Sequence, residues 1–88
     1  MIERETTVVN QEGLHARPAA KIVRLASSFS SDIELLKDGM AVNGKSIMGV
    51  MMLAAECGST IRIRAGGEDA ERAIQALSDL VDSRFGEE

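Results

Sequence analysis

The chain has 88 residues, the length of one compact domain, which leaves no room for a second catalytic unit. Its 44% hydrophobic content excludes disorder, and its aromatic content of 2%, both residues Phe, calls for an aliphatic core and excludes base-stacking platforms for single-stranded nucleic acid. Ten basic against fourteen acidic residues give a net charge of −4, which argues against binding to nucleic acid backbones or anionic membranes.

Met1 to Glu5 carry two acids where a secretory leader would carry basic and then apolar residues. No apolar run approaches the roughly 18 residues of a membrane span, and the expected compartment is the cytoplasm. The single cysteine, Cys57, has no disulfide partner within the chain and reads as a small buried hydrophobe. Nothing in the sequence calls for a metal or another cofactor.

Glu3 to Val9 is rich in β-branched residues and runs into Asn10-Gln11-Glu12-Gly13, so it predicts a strand followed by a loop. Over Ala16 to Ser28 the apolar residues Ala19, Ile22, Val23, Leu25 and Ala26 recur at helical spacing. Pro18 sits in the first turn, where its missing N–H costs nothing, and Phe29 closes the apolar stripe. Asp32-Ile33-Glu34-Leu35 and Met40-Ala41-Val42 are strands joined by a tight hairpin at Lys37-Asp38-Gly39, because Asp-Gly accommodates the left-handed backbone of such turns. Asn43-Gly44 ends the second arm.

The Met-rich run from Ser46 to about Ala55 reads as a short apolar helix terminated by Gly58. Thr60 to Ala65 alternates cleanly, with Ile61, Ile63 and Ala65 on one face and Thr60, Arg62 and Arg64 on the other, as a half-buried strand does. After Gly66-Gly67, Asp69 can cap a last helix whose residues Ala70, Ala73, Ile74, Leu77, Leu80 and Val81 line one side. Gly86-Glu87-Glu88 reads as a frayed tail. Strands with one apolar face and helices with one apolar stripe satisfy each other in two layers. The expected fold is an α+β open-faced sandwich, βαββαβα, forming one domain over 1–88.

The only histidine, His15, stands just before the first helix in Gly13-Leu14-His15-Ala16-Arg17-Pro18-Ala19. A helix start offers unpaired N–H groups, here those of Ala16 and Arg17, and the positive end of the helix dipole. The guanidinium of Arg17 matches phosphate oxygens, and neutral imidazole is nucleophilic near pH 7. His15 therefore either caps the helix or carries a phosphoryl group. Arg17, Lys21 and Arg24 share one helix face, and no acid lies between Gly13 and Ser31, so this face either docks an acidic partner or is merely solvated. Ser46 caps the short helix, while Ile47 and Met48 belong either to the core or to an apolar docking spot.

With these residues assembled, the sequence resembles the HPr family, the histidine-containing phosphocarriers of the bacterial phosphoenolpyruvate-dependent phosphotransferase system. The likeness spans the chain and rests on Gly13 to Ala19 together with Asn43-Gly44-Lys45-Ser46-Ile47-Met48-Gly49-Val50-Met51. It implies a four-stranded antiparallel sheet covered on one side by three helices, and a monomeric carrier rather than an enzyme. It implies that enzyme I phosphorylates His15 on Nδ1, that Arg17 neutralises the phosphate, and that the group passes to IIA units of sugar permeases. It also implies that Ser46 is a site for a serine kinase and phosphorylase, with a transcriptional regulator as a further partner. A nitrogen-related or purely regulatory paralogue would share the histidine chemistry; a small-ligand module or a metal carrier of this size would not.

Overall fold

A computed structural model describes residues 1–87. Four strands, β1 (Ile2–Thr7), β2 (Asp32–Lys37), β3 (Met40–Asn43) and β4 (Thr60–Gly66), and three helices, α1 (Ala16–Ser27), α2 (Ile47–Met52) and α3 (Ala70–Asp82), follow in the order βαββαβα. The strands form one antiparallel sheet in the order β1-β4-β2-β3. The fold is the open-faced α+β sandwich that the pattern predicts.

Period-two alternation sorts the sheet into two faces. Ile33, Leu35, Ile61, Ile63 and Ala65 are buried beneath the helices with Ile22, Ala26, Ile74, Leu77, Val81 and Phe85. The other face carries charge, and there Arg64 bridges two neighbouring strands, its Nε 2.9 Å from Glu3 and its NH1 3.1 Å from Glu34. The register that pairs both Glu3 and Glu34 with Arg64 makes this ladder geometrically natural. Asp38 and Gly39 turn the β2–β3 hairpin with φ of 51° and 83°, the left-handed pair that a two-residue turn between twisted strands requires.

Several boundaries differ from expectation. The first strand ends at Thr7, although Val8 still exchanges backbone hydrogen bonds with Ser59 and Gly58 at 2.8 and 2.7 Å. α2 stops at Met52, well before Gly58, because Ala54 takes a left-handed φ of 51° that no helix continues through. Cys57 is exposed, contrary to its reading as a buried hydrophobe: it lies in a surface turn closed by the bond from Ser59 N to Glu56 O. Asp69 occupies the N-cap position of α3, but its carboxylate makes no bond within that helix. It turns across to accept the N–H groups of Ser30 and Ser31 at 2.9 and 3.0 Å, together with the Ser31 hydroxyl.

The expected frayed tail is ordered through Glu87. After α3 the chain makes a 3-10 turn over Arg84–Gly86, with Arg84, Phe85 and Gly86 all at positive φ. This reversal buries the Phe85 ring and returns the chain toward the start of α1, where the Lys21 ammonium donates to the Phe85 carbonyl. Glu88 lies outside the described residues.

Candidate functional site

The loop between β1 and α1 sets the histidine. Gly13, at φ 70°, lies so close to the loop after α2 that a Cβ there would stand 2.4 Å from the Ala55 carbonyl oxygen. That carbonyl accepts the Leu14 N–H at 2.9 Å, and the buried Leu14 side chain anchors the loop in the core. His15 follows directly, in extended conformation as the N-cap residue of α1. Its side chain makes no capping bond; its carbonyl accepts the first helical bond, from Ala19 N at 3.0 Å. The N–H groups of Ala16 and Arg17 precede that bond and need partners from outside the helix.

The imidazole is about one-third exposed, and its Nε2 faces the Glu87 carboxylate, 3.4 Å from Oε1 and 3.3 Å from Oε2. Glu12 Oε1 is farther, at 3.9 Å. Among the described residues no hydrogen bond reaches Nδ1. An open cleft of about 470 Å³ joins His15 to Arg17, Lys21, Glu12, Gln11, Gly86 and Glu87. Its lining puts the positive charges of Arg17 and Lys21 opposite the carboxylates of Glu12 and Glu87, and of these groups the guanidinium is the one whose geometry matches an oxyanion.

The site residues expected from sequence fall into two clusters. His15, Arg17 and Lys21 line the cleft, with Arg17 exposed and Lys21 half-buried by its bond to Phe85, while Ala16 is exposed in the first turn of α1 and does not line it. Arg24 lies farther along α1 and is exposed. Ser46 stands at the N-cap of α2, where its Oγ accepts the Gly49 N–H at 3.1 Å. Ile47 and Met48 are exposed by 43% and 71%, beside Met51 and Met52 at 42% and 63%, so this apolar surface lies open rather than in the core. α2 packs against α1 and β3, which puts the apolar face beside the helix that carries the basic residues. Sequence reasoning missed Glu87 and Asn10. Asn10 is fully buried, and its Nδ2 donates to Gly13 O at 2.7 Å and to Glu87 Oε1 at 3.3 Å.

Residues 2–83 match the family model described as the PTS HPr component phosphorylation site. The chain belongs to the HPr family. It is 53% identical, over all of its own length and 99% of the relative's, to the phosphocarrier protein HPr of Xylella fastidiosa strain Temecula1. A more distant relative, the phosphocarrier protein NPr of Shewanella violacea, is 38% identical over 98% of this chain and 94% of that one. Among known structures, HPr from Thermoanaerobacter tengcongensis superposes with a TM-score of 0.96 at 51% identity, covering 100% of this chain and 99% of the other. Crh of Bacillus subtilis, described as a swapped dimer, reaches a TM-score of 0.77 at 43% identity over 96% and 97%. HPr proteins are phosphocarriers of the phosphotransferase system, and the sandwich described above is their fold.

Proposed function

We propose that this chain accepts a phosphoryl group on Nδ1 of His15 from enzyme I, which draws it from phosphoenolpyruvate, and passes it to IIA units of sugar permeases in the cytoplasm. The carrying observation is the place of His15: a partly exposed imidazole at the N-cap of α1, directly before the unpaired N–H donors of Ala16 and Arg17, that lines one cleft with Arg17 and Lys21. In the transfer Nδ1 attacks phosphorus, the bond to the donor breaks, and the equatorial oxygens meet these donors. The chain acts as a monomeric substrate of its partners and needs no cofactor, since the remaining groups of each transfer come from enzyme I or the acceptor.

Arg17 and Arg24 meet an acidic partner electrostatically while Ile47 and Met48 supply apolar contact. Ser46 is the regulatory site. A phosphate there adds roughly −1.5 to −2 charge at the head of α2, directly before Ile47 and Met48, which disfavours an acidic enzyme I and favours a basic regulatory partner. The resemblance to NPr at 38% identity supports a second reading, a nitrogen-branch carrier with the same histidine chemistry and other acceptors.

The test is incubation with enzyme I and phosphoenolpyruvate, followed by mass spectrometry of the intact protein under alkaline conditions. One phosphoryl group on the wild type and none on a folded His15→Ala variant is the expected result. Label retained by His15→Ala would overturn it, and acceptor proteins from the sugar and nitrogen branches, assayed side by side, separate the two readings.

A further inference from the structure

Building on the carrier reading, the geometry points to Asn10 and Glu87 as a positioning pair for phosphoryl transfer, with Glu87 holding the proton on His15 Nε2 and Asn10 holding Glu87. The argument starts from the imidazole. A neutral ring has one N–H and one lone pair, and only the nitrogen with the lone pair attacks phosphorus. Nε2 lies 3.3 and 3.4 Å from the two oxygens of the Glu87 carboxylate, and an ionised carboxylate only accepts. The arrangement therefore favours Nε2–H, which leaves the lone pair on Nδ1.

Charge gives Glu87 a second task. When Nδ1 takes the phosphoryl group and the bond to the donor breaks, the proton stays on Nε2 and the ring becomes a cation. A carboxylate already aimed at Nε2–H stabilises that cation as it forms, by the logic of the buried acid behind a catalytic histidine. On the return transfer the Nδ1–P bond breaks and neutral imidazole leaves, still protonated on Nε2. Without that proton the leaving group would be an imidazolate, a far poorer one.

Two features fix the turn that carries Glu87, and one bond restrains its carboxylate directly. Phe85 is buried, the Lys21 ammonium donates to the Phe85 carbonyl, and Asn10 Nδ2 donates to Glu87 Oε1. Asn10 uses the same amide to hold Gly13 O at 2.7 Å, so one fully buried side chain couples the histidine loop to the carboxylate. Its Oδ1 is buried without a hydrogen-bond partner among the described residues. Burying an unpaired acceptor costs stability, so the amide's stabilising contribution lies in its two donor bonds.

The experiment combines two measurements. Nitrogen-15 NMR of the His15 ring, recorded across a pH series up to its alkaline plateau, reads the tautomer there; the initial rate of phosphorylation by enzyme I and phosphoenolpyruvate reads the transfer. Wild type should be mainly Nε2–H. Glu87→Ala should give a mixed tautomer population and a rate about tenfold lower, the scale of one charge-assisted hydrogen bond at a partly exposed site. Glu87→Gln keeps an acceptor and should keep the tautomer while still slowing transfer, and Glu12→Gln should change neither. Asn10→Ala should reproduce Glu87→Ala, and because Glu87 lies outside the core its variants decide the matter even where Asn10→Ala fails to fold. A wild type rich in Nδ1–H, or a Glu87→Ala variant unchanged in tautomer or in rate, overturns the pairing. An unlabelled wild type overturns the carrier reading itself, and the ring spectra, which need no donor, still report on the contact.

Discussion

Lys21 donates its ammonium to the main-chain carbonyl of Phe85, joining the basic side of α1 to the turn that carries Glu87. The same charge thus has a structural use that Arg24, exposed on the helix, lacks. Lys21→Met should lower stability by about 1 kcal/mol, the low end for a hydrogen bond to a charged group, whereas Arg24→Met should change it by less than about 0.5 kcal/mol. Urea titration measures both. Association with enzyme I should lose salt dependence chiefly in Arg24→Met, since a screened surface charge acts through steering. An equal loss in the two variants would assign Lys21 to docking after all.

Gly13→Ala tests the foundation of the histidine loop. The new Cβ would have to take a left-handed conformation, costing about 1–2 kcal/mol, and would press within 2.4 Å of the Ala55 oxygen and 2.9 Å of the Glu56 Cα. Both neighbours are backbone and cannot swing aside, so the bond from Leu14 N to Ala55 O is lost as well. A total destabilisation of about 3 kcal/mol or more is expected from the denaturation midpoint. His15 phosphorylation should slow in the fraction that still folds, because His15 is the next residue after Leu14.

These two cases mark what the sequence makes legible. The Thr60–Ala65 alternation, the Asp38-Gly39 turn and Pro18 at the start of α1 are local signals, and each element stands where its signal puts it. The motif around His15 likewise identifies the cleft. Glu87 was missed because its contact with His15 spans 72 positions in sequence and depends on a left-handed reversal at Arg84 and Phe85, residue types that give no such signal. In sequence Asp69 has the signature of an ordinary helix cap, because the donors of Ser30 and Ser31 reach it only across the fold. For Cys57 residue preference points to burial, and a surface turn overrides that preference.

Ala54 is the converse of Gly13, a residue with a Cβ at φ 51° where glycine would be unstrained. Ala54→Gly relieves about 1–2 kcal/mol of left-handed strain but raises the entropy of the unfolded chain, which returns part of that gain. The expected net is a stabilisation of about 0.5–1 kcal/mol, seen as a rise of a few degrees in Tm. A fall in Tm would show that the Ala54 methyl makes a favourable contact outweighing its strain.

Acid stability follows from Asp69. Its hydrogen bond from the Ser31 hydroxyl, then the backbone N–H groups, hold the carboxyl down to about 2 from 3.8. A carboxyl with a depressed folded pKa stabilises the native state fully above the unfolded value, and that contribution is lost as pH falls through the folded one. The stability difference between wild type and Asp69→Asn should therefore be constant above about pH 5 and shrink between about pH 4 and 2. Denaturation midpoints of both proteins across this range make the comparison, and a difference independent of pH would remove Asp69 from the acid response.

Ser46 has two separable properties, and two substitutions part them. Its Oγ accepts the Gly49 N–H at 3.1 Å at the head of a six-residue helix, so Ser46→Ala should cost about 1 kcal/mol as the cap is lost. Asp is an equally good cap and its charge is favoured at a helix N-terminus, so Ser46→Asp should match wild type in stability or slightly exceed it. The phosphorylation of His15 should show the opposite order. Ser46→Ala leaves the charge beside Ile47 and Met48 unchanged and should keep close to the wild-type rate, while Ser46→Asp places a carboxylate in the field of an approaching acidic enzyme I and should slow it several-fold. Phosphoserine, with about twice the charge, should slow it further, and raising the salt concentration should narrow all of these differences. A rate that instead tracks stability across the three proteins would reduce Ser46 to a cap, since loss of folded carrier would then account for the whole effect.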